Sequence, residues 1–544
     1  MNVRSLLPRN PDCRARRAMA VLALALMLAL PGTSGWSQEG DAANGGAQAA
    51  AAAAAAAAMA RHSSPDVRPV APSRLRSLQL GRSEYLAADA VEAAVLPFVG
   101  QALDNRTLAG VLDALGALYD EQGIVLATPV IENVNAVTGA VRVGFVEARL
   151  GRVRARSETI SDAYLAYRLN LTAGAVADNR VISRRLERLT LTDAIVLDAD
   201  FAPGAQPGET DLVVVTEAGP RISTVMSLDS YGSRGSGRYR LGASTRIASL
   251  TGFNDPLNLG LTLRQGAQSL SAGYSRGIHP DGTRLTLSVE LGRSRNVQGT
   301  DLRGRTAFAG AGVTHPLIVA ADRSLSANVL VQYFREDSTL VGTRTLDQRG
   351  WLVSLGANGR LAGDAWALSG GADVLAGRYT DDVVDARRKF AALSFNLAYG
   401  GDLPGGQVAA SVNMAGQVSG RAGMPAPYGF TVTSAFAVRG YPSGALSGDS
   451  GVWLRAQIEA KEPLGAGNGR VSVVPFAFFD AGMAASRLDG RHVQQGRVAS
   501  AGLGASIGLG TASSAEIFVA RPLRSLPNQT RNRLWVEAGL RHRF

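Results

Sequence analysis

Gly273-Tyr274-Ser275-Arg276-Gly277 has the G-x-S-x-G spacing of an acyl-transfer nucleophile. Such a serine works only at a sharp strand-to-helix elbow with a partner histidine and acid. Here it follows the alternating Leu270, Ala272 and Tyr274 and precedes Pro280-Asp281-Gly282, so it reads as a strand end at a turn. The five histidines, at 62, 279, 315, 492 and 542, lack metal-ligand spacing. Gly502-x-Gly504 opens a strand and leads to no helix, which removes the context a dinucleotide fingerprint needs. No G-x-x-x-x-G-K-[ST] stretch occurs, so no ATP-driven motor is encoded. The expectation is a protein that is not an enzyme and needs neither metal nor cofactor.

The elements that must carry any remaining chemistry are read from the two ends. Leu534, Val536, Ala538, Leu540 and Phe544 form one face of the last segment, and Glu537, Arg541 and Arg543 the other. In hydrocarbon a spanning strand offers lipid an apolar row, hides its polar row in the lumen and relies on ring closure for its backbone partners. A terminal strand of this kind, ending in the aromatic Phe544, is expected in the outer membrane of a Gram-negative bacterium. At the other end, Arg14, Arg16 and Arg17 precede an apolar run from Ala18 to Leu30 that is too short to cross a bilayer, with small residues after it. Residues 1–37 therefore read as an export signal, cleaved near 37. It contains the sole cysteine, Cys13, so the remainder can form no internal disulfide.

Charge adds little. The net charge of +11 falls to +7 without the five arginines and Asp12 of the leader, and no basic run with interleaved aromatics points to a nucleic-acid partner. Residues 38–73 are low in complexity, with ten consecutive alanines from Ala49 to Ala58. They read either as a flexible linker or as a helix docked elsewhere, since alanine favours helix but this stretch has no amphipathic face.

Between Leu75 and Thr216 one order, β-α-α-β-β, occurs twice. The first unit has a strand near Leu75–Leu80, a helix around Tyr85–Leu96, and a helix from Thr107 to Gly123. The second helix carries Leu108, Val111, Leu112, Leu115, Leu118 and Tyr119 at helical spacing. Strands Ile124–Ile131 and Val141–Val146 follow, with Thr138-Gly139 turning between them. The second unit has strand Leu150–Ala155, helices Ser161–Leu169 and Asp178–Leu191, and strands Ala194–Phe201 and Asp211–Thr216. In its second helix Val181, Ile182, Leu186 and Leu189 face inward and Arg184, Arg185 and Arg188 lie opposite. Those arginines read as a solvated face or as an attraction for a partner. Each unit holds about 70 residues, near the lower limit for an independent core.

From 220 to 544 the chain is strand after strand at period 2. Tyr239, Leu241, Ala243, Thr245 and Ile247 alternate with Arg238, Arg240, Gly242, Ser244 and Arg246, and Leu257 to Leu263 behave likewise. Arginine at every second position fits only a row that faces water. At about 10 residues per strand plus turns, the length fits roughly 16 antiparallel strands of a membrane β-barrel.

Against that background stands Phe436-Ala437-Val438-Arg439-Gly440-Tyr441, followed by Leu446-Ser447-Gly448-Asp449-Ser450-Gly451. It resembles the V-R-G-[YF] loop and the L-S-G-[DE]-x-G of two-partner secretion transporters (TpsB proteins), the haemolysin secretion/activation family. Phe478-Phe479-Asp480-Ala481-Gly482 is similar to the family's F-x-D-x-G. Period 2 puts Phe478 and Asp480 on one face with Ser472 and Phe476, so the carboxylate should point into the lumen.

The resemblance covers the chain after the linker and implies two periplasmic polypeptide-transport-associated (POTRA) domains, 74–148 and 149–219, before a barrel at 220–544. It implies that a long loop near 430–450, carrying Val438, Arg439, Gly440 and Tyr441, folds into the pore, where Arg439 meets Asp480 between Phe478 and Gly482. A guanidinium and a carboxylate make two parallel charge-assisted hydrogen bonds, a directional lock for a loop tip, and Gly440 lets the backbone turn sharply. The implied function is export of a large TpsA-like exoprotein captured by the POTRA domains. The barrel would be inserted by the barrel-assembly machinery and would sit among outer-membrane lipids. An insertase of the same superfamily and a passive solute channel are the competing readings. The family's plug helix would here have to be the alanine tract, and His542 departs from the apolar residue common near barrel termini.

Overall fold

The computed structural model describes residues 74–544 apart from 218, 421–422, 465–470, 489–490 and 527–533; the leader and the alanine tract, with its plug reading, lie outside the described residues. The described chain divides into two compact units, 74–217 and 219–544.

The first unit contains two repeats of one design. Strand β1 (Ser77–Leu80) is followed by helices α1 (Ala88–Val95) and α2 (Asn105–Glu121), then β2 (Ala127–Asn135) and β3 (Ala140–Glu147). The central β3 pairs in parallel with β1 and antiparallel with β2. Asp104 caps α2 by accepting from the Thr107 amide at 2.8 Å, and Gly123, at φ +68°, lets the chain turn off its end. Val111, Leu115 and Tyr119 on α2 are buried against Val91, Val95, Val141 and Val143, so the inferred apolar stripe is the core face.

The second repeat has β4 (Arg149–Arg156), α3 (Asp162–Leu169), α4 (Asn179–Asp193), β5 (Leu197–Pro203) and β6 (Glu209–Thr216), with the same pairing: β6 parallel to β4 and antiparallel to β5. β1 and β2 are the edges of one sheet, and β4 and β5 those of the other. The strand expected from Ala194 starts only at Leu197, because Ala194 holds a left-handed conformation (φ +53°) as the C-cap of α4. Ile182, Leu186 and Leu189 are buried, whereas Val181 is only partly so. The arginine face is also less open than its spacing indicates: Arg185 donates from one guanidinium nitrogen to the carbonyls of Leu169 and Asn170, closing the C-terminal end of α3. An unforeseen ion pair sits in the core, where Arg168 of α3 holds Asp193 with Nε–Oδ2 3.1 Å and Nη2–Oδ1 2.9 Å, both side chains almost fully buried. The two repeats are joined at the start of α4: Asn179 donates to the Gly123 carbonyl at 2.8 Å and accepts from the Val125 amide at 3.3 Å.

The second unit is a closed antiparallel barrel of 16 strands. The first barrel strand, Ile222–Asp229, pairs with the last, Trp535–Arg543, and the Phe544 amide adds a bond to the Thr224 carbonyl at 2.9 Å. Closure satisfies the edges that a membrane cannot solvate. Leu534, Val536, Leu540 and Phe544 are exposed on the outer face and Glu537 is buried inside, as the alternation requires. His542 stands in the outward row with its Nδ1 2.8 Å from the Ser513 hydroxyl and its ring edge-on to Phe544 at 4.4 Å, so one of its two ring nitrogens is satisfied locally.

Candidate functional site

Residues 423–449 leave the strand Val408–Ser419, enter the barrel and return as the strand Ser450–Ala460. Within itself the segment is held by a turn at Ala426–Tyr428, a two-residue pairing of Phe430–Thr431 with Ser447–Gly448, and further backbone bonds from the amides of Val432, Val438 and Gly444 to the carbonyls of Leu446, Val432 and Thr433, each at 2.9 Å. Burial against the barrel wall adds to these bonds. Val432, Val438, Tyr441 and Leu446 pack with Ala484, Val498 and Leu526, apolar residues that belong to or adjoin the inner wall. Glycines on that wall make the space: a Cβ at Gly482 would meet Val432 at 2.5 Å and Val438 at 3.1 Å, and one at Gly496 would meet Leu446 at 2.6 Å.

At the tip, Arg439 is 1% exposed and Asp480 0%. Nε and Nη2 donate to Oδ2 and Oδ1 of Asp480 at 2.8 and 2.9 Å, and the Arg439 amide adds a third bond to Oδ2 at 3.1 Å. Nη1 donates to Gln457 Oε1 at 2.9 Å. The guanidinium carbon lies 3.5 Å from the centroid of Phe478, with Phe476 and Phe518 farther off at 5.9 and 5.7 Å. A buried, fully bonded pair of this kind is costly to break: loss of one partner strands the other charge and costs about 3 to 5 kcal/mol. Gly440 takes φ +86°, and a Cβ there would come within 2.9 Å of Ala520. Tyr441 then drops its hydroxyl 2.7 Å from the carbonyls of both Ala499 and Arg524.

The predicted residues thus come together with a division of labour along one strand, Val471–Leu488: Phe478 stacks, Asp480 pairs and Gly482 gives room. Gly502 and Gly504 lie in the middle of the strand Arg491–Leu509, not at its opening, and they also make room. A Cβ at Gly502 would strike the Phe478 ring at 2.4 Å, and one at Gly504 the Phe476 ring at 2.3 Å.

Sequence reasoning missed a second hold on the same segment. Tyr428 is enclosed by Phe334, Phe390 and Phe308 at centroid distances of 5.1, 6.1 and 6.2 Å, and its hydroxyl donates to Gln332 at 2.6 Å. The Ala426 amide donates to Gln348 at 2.9 Å, and Gln417 bridges the carbonyls of Tyr428 and Asp449. The available signal was three phenylalanines on rows that are otherwise polar.

The other chemistry-bearing residues stay apart from this site. Ser275 lies in the strand Ala267–Gly277 and accepts from Arg284 at 3.1 Å, with no histidine or carboxylate bonded to it among the described residues. This geometry locks a polypeptide segment across a lumen; it does not assemble a nucleophile with a base.

A family model described as haemolysin secretion/activation protein ShlB/FhaC/HecB matches residues 208–509. The chain belongs to this family. It is a two-partner secretion transporter of the TpsB class, an outer-membrane β-barrel with periplasmic POTRA domains. The heme/hemopexin transporter protein HuxB of Haemophilus influenzae is 21% identical to it over 477 residues, covering 81% of each chain. The outer membrane transporter CdiB-2 of Burkholderia pseudomallei is 23% identical over 236 residues, 40% of this chain and 39% of that one. Among solved structures, CdiB from Escherichia coli shares the fold with a TM-score of 0.62 at 16% identity, covering 98% of this chain and 99% of the other.

Proposed function

We propose that this transporter exports one large partner exoprotein of the haemolysin or adhesin type from periplasm to cell surface without ATP, and that the segment 423–449 is its gate. The carrying observation is the dry Arg439–Asp480 pair. It fastens the tip of a lumen-filling loop by three hydrogen bonds. A leader ending near 37 delivers the chain to the periplasm, and the barrel-assembly machinery inserts it with Phe544 at its terminal strand. Cargo arrives extended and adds to an open sheet edge of a POTRA repeat, β1, β2, β4 or β5. Directionality comes from folding of the cargo outside, since the compartment supplies no nucleotide.

The test is Arg439→Ala in cells carrying the cognate exoprotein. Export is expected to fall by at least tenfold while the heat-modifiable barrel remains in the outer membrane; unchanged export overturns the gate. Deletion of residues 75–149 is expected to abolish capture but keep ion conductance, and retained export would remove the POTRA role. Depletion of the protein separates this reading from its rivals: loss of one exoprotein fits export, broad loss of barrels fits an insertase, and an uptake defect alone fits a solute channel.

A further inference from the structure

Three successive hairpins carry basic residues directly opposite one another on the outer face of the barrel. Between the strands Arg284–Arg295 and Leu302–Val319, Arg293 pairs with Arg305 and Arg295 with Arg303. Between Arg323–Leu340 and Thr343–Ala362, Arg335 pairs with Arg349, and between Trp366–Asp381 and Ala386–Asp402, Arg378 pairs with Lys389. Their outward direction follows from period 2 without an intervening register shift. Arg293 and Arg295 continue the exposed row Leu287, Val289, Leu291; Arg335 continues Val329 and Val331; Arg349 continues Leu355, Val353 and Trp351; Arg378 continues Val374; and Lys389 continues Leu397 and Leu393.

These residues lie toward the same end of the barrel. Ile222 begins the barrel directly after the periplasmic repeats in the chain, and the strands alternate in direction from there, which puts all four pairs toward the external end. Tyr333 and Trp351, with rings 5.1 Å apart on the outer face, lie one row inward of Arg335 and Arg349. Aromatic pairs of this kind mark the boundary between hydrocarbon and headgroups. The basic rows therefore begin at headgroup depth.

Like charges directly opposite on neighbouring strands destabilise the ladder. Acidic neighbours relieve part of this: Asp301 pairs with Arg303 at 2.8 Å, Asp382 with Arg349 at 3.2 Å, and Asp347 with Arg344 and more distantly with Arg335 at 3.7 Å. Among the described residues no ion pair engages Arg293, Arg295, Arg305, Arg378 or Lys389; Asp337 faces Arg305 across the ladder without forming one. We infer that this belt binds the phosphates of an anionic glycolipid in the outer leaflet, a phosphorylated lipid A type headgroup whose acyl chains cover the apolar rows beneath. A phosphate set between two guanidinium forks accepts paired hydrogen bonds from both and turns their repulsion into shared attraction. A lipid fits better than free phosphate because each cation stands directly above an apolar row that needs an acyl cover.

The test uses the full-length protein in zwitterionic detergent, titrated with diphosphorylated lipid A, dephosphorylated lipid A, phosphatidylglycerol or inorganic phosphate, and read by melting temperature and native mass spectrometry. Lipid A is expected to bind and raise the melting temperature by about 3 to 6 degrees, as preferential binding to the folded state requires, while the dephosphorylated form and inorganic phosphate do neither. The variant carrying Arg293→Gln, Arg305→Gln, Arg378→Gln and Lys389→Gln should bind lipid A at least tenfold more weakly, yet melt no lower than the parent without lipid, because repulsion has been removed. Equal effects of lipid A and its dephosphorylated form, of lipid A and phosphatidylglycerol, or of lipid A on parent and variant would each overturn the site. If the fourfold variant fails to insert, the pair Arg293→Gln and Lys389→Gln serves the same comparison.

Discussion

The guanidinium carbon of Arg439 sits over the ring of Phe478, 3.5 Å from its centroid, while two guanidinium nitrogens grip Asp480, two residues farther along the same strand. One side chain thus uses both its face and its fork, which a lysine cannot do. Arg439→Lys is expected to keep the charge but lose the second carboxylate bond and the Gln457 contact, weakening the hold by about 2 to 3 kcal/mol. Planar-bilayer recordings should then show open events many times more often than in the parent; an unchanged open probability would argue that charge alone holds the tip.

Gly482→Val tests room rather than charge. Its side chain would collide with Val432 and Val438. The expected result is a barrel that still inserts but conducts constitutively and exports poorly, although Arg439 and Asp480 are untouched. Normal conductance in this variant would show that the segment repacks around the obstacle.

Tyr428→Ala should release the opposite hold. Removing a ring enclosed by Phe308, Phe334 and Phe390 costs about 3 to 5 kcal/mol by the usual measure of buried aromatics. Limited proteolysis from outside is expected to cut near residue 428 in the variant and not in the parent. Combined with Arg439→Ala, conductance should exceed that of either single change.

In the second repeat, Asp193→Ala leaves Arg168 charged and buried without its partner, a loss of about 3 to 5 kcal/mol. Since a domain of this size has little stability to spare, the repeat should become protease-sensitive while the barrel remains heat-modifiable. A repeat as resistant as the parent's would count against a structural role for the pair.

Asp255 provides a pH test at the turn between the strands Arg240–Ile247 and Leu257–Arg264. Burial pushes its carboxyl upward, but hydrogen bonds from the Thr251 amide and hydroxyl, Tyr274 and Ser249 outweigh this and hold it at about 2. The folded value lies below the unfolded one of about 4, so the stabilisation is complete above pH 4 and disappears as pH falls toward 2. Asp255→Asn should therefore cost about 2 kcal/mol at pH 7, a difference that shrinks between pH 4 and 2. A gap independent of pH would mean that the carboxylate charge is not what the turn uses.

Much of this was legible along the chain because alternation is a local signal. Leu287, Val289 and Leu291 announce their outward face by spacing alone, and Val111, Leu115 and Tyr119 do so for a helix. What was hidden depends on closure. Phe308, Phe334 and Phe390 are separated by many residues from Tyr428 and converge only once the strands are laid side by side. The paired role of Gly502 and Phe478 likewise needs their register. Arg168 and Asp193 resemble surface charges in sequence, since nothing local reveals that α3 and α4 bury both.

The strands on either side of the lumen segment are bonded to each other, from Val408 opposite Ala460 to Gln417 opposite Gly451. The stopper is therefore tethered at both ends to neighbouring staves that are already sewn together. If the segment moves as the proposed gate, its withdrawal breaks no seam in the hoop, and the barrel would change its permeability without loosening its wall.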